Sequence, residues 1–136
     1  MSKTLMDEYD LGNHQEEVFK RWGATQEFKE SHTRTSGYSA SDFHAARLES
    51  DQAIQMMIRV MLGGEPADSD AAIAAARAHQ DAISHWYYEC SDEIHLSLAD
   101  MYVADARFTQ YFESRQRGLS QFLHDAIAAK SPGLRI

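Results

Sequence analysis

Along most of this chain the apolar residues return every three or four positions, a spacing that fits helices and leaves no room for a sheet. Phe43, Ala46, Ile54, Met57, Ile58, Met61 and Leu62 make one such stripe, stopped by Gly63-Gly64. Ser39 with Asp42, or alternatively Ser41, offers its N-cap. Residues 63–69, with Pro66, read as the clearest loop. Ser69 or Asp70 then opens the main helix, on which Ile73, Ala76, Gln80, Ile83 and Tyr87 form a second stripe. Cys90, Ile94, Leu98 and Met101 continue it, so the spacing predicts one long helix with at most a bend at Ser91-Asp92. Asp105 caps a shorter helix carrying Phe108, Tyr111 and Phe112. After Arg117-Gly118 a last helix carries Leu119, Phe122, Leu123 and Ile127 and ends near Ser131-Pro132-Gly133. Strand-like alternation is not sustained, and only 3 valines and 2 prolines occur, so the expectation is an all-α fold.

The first forty residues are different. Their apolar side chains are sparse: Leu5, Met6, Tyr9, Leu11, Val18, Phe19, Trp22, Phe28 and Tyr38. Asn13 with Glu16 reads as a capped start for a short helix presenting Val18, Phe19 and Trp22. Gly23 ends it, Thr25 caps a second that runs through Phe28 to about Thr35, and Gly37 breaks that one. Short helices are marginal in water unless they dock on something. The expectation is a single domain over 1–136, with 41–130 as the main helical body and 1–40 mobile until a ligand binds.

Composition narrows the function classes. The 136 residues suffice for one domain with a modest core and not for two. Leu, Ile, Val and Phe make up only 25 of the 136 residues, about 18%, against 19 alanines, 6 methionines, 6 tyrosines and 2 tryptophans. The apolar side is therefore rich in alanine and aromatics, and the core should be thin. A net charge of −8 without a basic cluster makes nucleic-acid binding by this chain alone unfavourable. No apolar run reaches the roughly 20 residues of a membrane span, and residues 1–10 hold no signal-peptide stretch. An intracellular, cytoplasmic protein without a membrane partner is expected. Cys90 is the single cysteine, which excludes an intrachain disulfide and a multi-thiolate zinc site.

The densest chemistry lies in His85-Trp86-Tyr87-Tyr88-Glu89-Cys90-Ser91-Asp92-Glu93-Ile94-His95. On one continuous helix Asp81, His85, Glu89 and Glu93 would form an i,i+4 ladder, with Asp92 and His95 at i,i+3. A carboxylate–His pair at that spacing is half of a di-iron motif, but no Glu precedes any of the 7 histidines by three positions. His-Glu-x-x-His is missing as well. One reading is a small metal or thiol enzyme built on His85, Glu89, Cys90, Asp92 and His95; the plainer reading is a solvated polar face. Neither His85 nor His95 shares a helical face with Cys90, and His79 or His124 could reach it only through the fold. A lone cysteine in an alanine-rich helix is ordinarily a small buried hydrophobe. Trp22, Phe28, Trp86, Tyr87, Tyr88, Tyr102, Phe108, Tyr111 and Phe112 exceed what so thin a core needs, which fits either a packed core or a pocket for large apolar ligands.

Several blocks also resemble a known family. Arg21-Trp22-Gly23-Ala24-Thr25 with Phe28-Lys29-Glu30-Ser31, then Tyr38-Ser39-Ala40-Ser41-Asp42-Phe43, then His85-Trp86-Tyr87-Tyr88-Glu89-Cys90 with Glu93-Ile94-His95, and Met101-Tyr102-Val103-Ala104-Asp105-Ala106-Arg107-Phe108 are similar, in order, to the signature of the TipAS antibiotic-recognition domain. The likeness runs from about Leu11 to Ala129. It implies a globin-like helical fold with no haem and no other cofactor. It implies a ligand cleft for bulky hydrophobic or peptide antibiotics such as thiopeptides, and no catalysis. The usual context is the effector half of a MerR-type transcription activator, in which DNA is contacted through a separate reader domain. Residues 1–10 are too short for such a reader, so an excised domain, an internal-start product or a free-standing drug binder is expected. The ligand-binding residues it points to are Trp22, Phe28, Trp86, Tyr87, Cys90, His95, Ser97, Met101, Tyr102 and Tyr111. Some members trap their ligand on a cysteine of the central helix, a position matched here either by Cys90 or, two turns later, by Ser97, in which case binding is reversible.

Overall fold

A computed structural model describes residues 26–134, apart from the side chains of Glu27, Phe28 and Leu134. Within them six α-helices follow one another: α1 (Gln26–Thr35), α2 (Ala40–Leu62), α3 (Asp70–Trp86), α4 (Asp92–Ala104), α5 (Ala106–Arg115) and α6 (Leu119–Lys130), then a 3-10 turn at Pro132–Leu134. The all-α expectation holds. The expected helix over Val18, Phe19 and Trp22, its Asn13 cap, the Gly23 stop and the Thr25 cap lie outside the described residues.

Local chemistry accounts for the boundaries. Ser39 and Asp42 form a reciprocal capping box: the Asp42 N–H donates to Ser39 Oγ at 3.1 Å, and the Ser39 N–H donates to Asp42 Oδ2 at 2.9 Å. Ser69, Ser91 and Asp105 cap α3, α4 and α5 through single side-chain acceptors. Gly63 closes α2, and Gly64 follows in the left-handed region.

The long helix predicted from Ser69 through Met101 is two helices. α3 stops at Trp86, and five residues pass before α4 begins. The reason is visible in the chain: Ser91 followed by Asp92 and Glu93 is an N-cap with an acidic first turn, a stronger signal than the apolar stripe crossing it. The Tyr87 and Tyr88 N–H groups both donate to the Ile83 carbonyl, and the Cys90 N–H turns back to Ser84 Oγ at 3.0 Å. The buried line of α3 is also rotated from the expected one. It runs through Ala72, Ala75, Ala76, His79 and Ala82, with Ile73 and Gln80 on its flank.

That line explains how a thin aliphatic complement closes a core. α3 lies along α2 and also meets α6, which packs in turn on α4 and α5. Ala72, Ala75 and Ala76 are fully buried at these contacts, so the helices approach closely and little side-chain volume is needed between them. Phe112, Ile54, Met57, Leu119, Leu123 and Ile127 fill what remains. α6 starts without a side-chain cap of its own, because Gly118 at its N-cap sits at φ 87°. Glu113 on α5 takes over: its carboxylate accepts the Gly118 N–H at 2.7 Å and both the N–H and hydroxyl of Ser120, which holds it below the usual carboxylate range. Glu113→Ala should therefore cost about 1 kcal/mol and lower Tm by several degrees, read by thermal denaturation, while leaving the helix content of the folded state unchanged.

Candidate functional site

The break between α3 and α4 leaves carbonyls of the last α3 turn and amides of the connecting turn without helical partners. Residues of α1, of the α1–α2 link and of α2 hold this end of α3. Arg34 on α1 donates through Nη1 to the Ser84 carbonyl at 2.7 Å and the His85 carbonyl at 3.3 Å, and pairs through Nη2 with Glu30 one turn earlier. The Tyr38 hydroxyl donates to the Trp86 carbonyl. Glu30 accepts the Glu89 N–H at 3.4 Å. On α2, one oxygen of Glu49 takes both Trp86 Nε1–H and His85 Nδ1, each at 2.8 Å. Tyr38 meets Phe43 and Trp86 edge-to-face, so α1, α2 and the end of α3 share one aromatic seam.

Beneath this seam lies a buried polar cluster. His79 Nδ1 and His95 Nε2 stand 2.9 Å apart with the rings stacked, and His95 Nδ1 is buried with no partner among the described residues. Tyr102 packs edge-on against His79. Gln80 donates to the Cys90 carbonyl and to Asp92, each at 2.9 Å. Lys130, its side chain fully buried, reaches Asp92 from the end of α6 at 2.9 Å. These two hydrogen bonds hold the Asp92 carboxyl down to about 2. Burial pushes the Cys90 thiol up to about 12 against the opposing pull of Lys130, and its one hydrogen bond is to the Ser91 carbonyl.

The ten residues expected to bind ligand are thus dispersed. Trp86 and Tyr87 are half-buried at the end of α3, with Cys90 and His95 below them. Met101 and Tyr102 are buried, and Tyr102 joins Phe108 and Phe112 in an aromatic cluster. Tyr111 is half-buried on α5, where its hydroxyl accepts from Arg115. Ser97 points outward on α4. Trp22 lies outside the described residues, as does the side chain of Phe28, although its backbone belongs to α1.

The metal or thiol constellation does not assemble. With α3 and α4 separated, Asp81, His85, Glu89 and Glu93 form no ladder; His85 is turned to Glu49, Asp92 to Lys130 and His95 to His79. Among the described residues no three His, Cys, Asp or Glu side chains are placed to hold a metal ion. Sequence reasoning passed over Glu30, Arg34, Glu49, Gln80 and Lys130. Glu30 and Arg34 are an i,i+4 pair on α1, but the contacts these residues make to the break cross between separate elements, which spacing along one helix does not show.

A scan against family models matches residues 14–130 to the TipAS antibiotic-recognition domain. The chain belongs to this family. TipAS from Streptomyces lividans in complex with nosiheptide, part of a thiopeptide antibiotic multidrug resistance system, has the same fold: TM-score 0.84 at 32% identity, covering 100% of this chain and 97% of that one. The antibiotic binding domain of a TipA-class multidrug resistance transcriptional regulator gives a TM-score of 0.61 at 35% identity over 67% of this chain and 97% of its own. In sequence, the transcriptional activator TipA of Streptomyces coelicolor is 36% identical over 93% of this chain and 50% of its own length. The activator mta of Bacillus subtilis is 33% identical over 87% and 46%. This TipAS-family chain spans about half the length of these relatives. No helix among its described residues is long and apolar enough to cross a membrane.

The buried imidazoles give the site a pH signature. Burial, reinforced for His95 by its neighbour His79, lowers His79 to about 4 and His95 further. The unfolded chain, with histidines near 6.5, binds more protons than the folded one below that pH. Their contribution is fully present above pH 6.5 and is lost as pH falls toward 4. Urea unfolding at pH 7.5, 6 and 5 should show a decline of roughly 4 kcal/mol across this window, about 2 for each imidazole, and a smaller one in His79→Gln.

Proposed function

We propose that the chain binds bulky, largely apolar peptide antibiotics of the thiopeptide class in the cytoplasm and acts by binding rather than by catalysis. The observation that carries this reading is the whole-chain correspondence with nosiheptide-bound TipAS. The aromatic seam at the α3–α4 break supports it, because half-buried Tyr38, Trp86 and Tyr87 offer rigid apolar faces with polar rims. Of the residues the resemblance points to, Trp86 and Tyr87 stand half-buried on the seam and serve as its binding residues. Where the domain is joined to a DNA reader it serves as the effector part, and DNA is contacted through that reader.

Capture is reversible in this reading. A thiolate is the attacking form of cysteine, and Cys90 is buried, strongly raised and, among the described residues, without an imidazole partner. Nosiheptide should raise Tm by mass action, and intact mass spectrometry should find free protein afterwards. Cys90→Ser should keep the thermal shift. A stoichiometric adduct lost in Cys90→Ser would overturn reversibility, and no thermal shift with any thiopeptide would overturn the antibiotic reading itself.

α1 orders further as the ligand fills the cleft. α1 supports this by the way it is held: its described tethers to α3 are the polar contacts of Arg34 and Glu30, which water can replace at modest cost. Hydrogen-exchange mass spectrometry should show α1 amides exchanging faster than those of α3 in the free chain and slowing on addition of nosiheptide. Equal protection of both helices, unchanged by ligand, would show α1 to be ordinary core.

A further inference from the structure

α2 carries a charge where its pattern calls for an apolar residue. Arg47 falls one turn after Phe43, two turns before Ile54 and three before Ile58, on the stripe that turns into the core. Ile54 and Ile58 are buried there, whereas Arg47 stands nearer the start of α2, where the stripe reaches the aromatic seam of Tyr38 and Trp86. Its Nε is shielded from solvent and has no hydrogen-bond partner among the described residues.

The obvious partner is already taken. Asp51, one turn further along α2, accepts instead from Arg115 on α5 at 2.8 Å, and Arg115 also donates to the Tyr111 hydroxyl at 2.9 Å. Glu49, two positions on, is taken by His85 and Trp86. Arg47 lies close enough to the half-buried Tyr87 hydroxyl for its charge to act on it. A desolvated guanidinium N–H is among the costlier groups to leave unpaired, and it stays so in a native fold where an external acceptor completes it.

We infer that Arg47 is a ligand-recognition residue, donating its Nε–H to an amide carbonyl of a bound peptide-like compound lodged between α2 and the α3–α4 turn. The inference rests on the antibiotic-binding reading and deepens it by naming the polar anchor in an otherwise aromatic site. A neutral carbonyl fits better than a carboxylate, because the chain's charge of −8 disfavours anions at its surface. Arg47 fixes orientation, and the aromatic faces supply the buried area.

The test is calorimetric titration of the full chain with nosiheptide at pH 7.5, beside the melting temperature of each ligand-free variant. R47M keeps the apolar stem and removes every donor; R47K keeps the charge without the Nε–H. R47M should weaken binding by about tenfold or more, the range for a hydrogen bond to a charged donor, and R47K should fall between it and the parent. Ligand-free R47M should melt at or above the parent temperature, since the unpaired donor is gone. Parent-like affinity in R47M overturns the inference while leaving the antibiotic reading intact. So does a drop in melting temperature with unchanged affinity, which would assign Arg47 to the fold. If R47M both melts lower and binds more weakly, R47K decides: reduced affinity at a parent-like melting temperature supports the anchor, and full affinity refutes it. A parent chain that binds no thiopeptide refutes the antibiotic reading, and the anchor with it.

Discussion

The structure turns on how the backbone is satisfied where α3 gives way to α4. Two helices meeting at a five-residue break present more unpaired carbonyls and amides than the break can pair internally. Beyond the local bonds to Ile83 and Ser84, the groups that settle them come from elsewhere in the sequence: Arg34 and Glu30 from α1, Tyr38 from the α1–α2 link, Gln80 from two turns back in α3. The cap of α4 is tied to the end of α6 by Lys130 and Asp92. Lys130 is the buried member of this pair and Asp92 the half-exposed one; breaking it strands the buried ammonium, so it fixes geometry. The break is therefore a hub that sets the positions of α1, α4 and α6 at once.

The remainder of the core could afford to be sparse because its axis is alanine. Fully buried alanines on α3 bring α2 and α6 close, and six larger side chains fill the remaining volume. The aromatics then divide between two duties. Tyr102, Phe108 and Phe112 pack inside, whereas Tyr38, Trp86 and Tyr87 stay half-exposed along the seam. Composition left these two uses of aromatic residues open, and burial assigns each residue to one of them.

What the sequence made legible follows the range of the interaction concerned. Ser39-Asp42, Ser69, Asp105 and the Gly37 and Gly63 stops act within four residues, and each helix end they predict is found. The one wrong helix, running through residues 87–91, came from weighing an apolar stripe above the local cap at Ser91. The site was legible only as a motif. Trp86, Tyr87, Cys90 and His95 lie at or just below the break, but the partners that hold them, Glu49, His79 and Lys130, sit 37, 16 and 38 residues from the groups they bind. No periodicity reports contacts at that separation. Ser97, placed by resemblance, faces outward, which binds it to no part of this network.

The two kinds of holding at the hub differ in how easily they are exchanged. The His79–His95 pair is sealed by burial of both imidazoles, and the Lys130 ammonium is buried behind a half-exposed Asp92, so disturbing either leaves a buried group without its partner. The α1 contacts are partly exposed: Arg34 and Glu30 side chains keep 29% and 31% of their surface, enough for water to stand in for either partner. α1 can therefore loosen without disturbing the cluster beneath it. A ligand bearing apolar surface and carbonyl acceptors changes that balance on one side only. It adds contacts to the exchangeable layer of α1, Tyr38 and Trp86, and the sealed layer of α3, α4 and α6 serves as the fixed surface against which that ordering is registered.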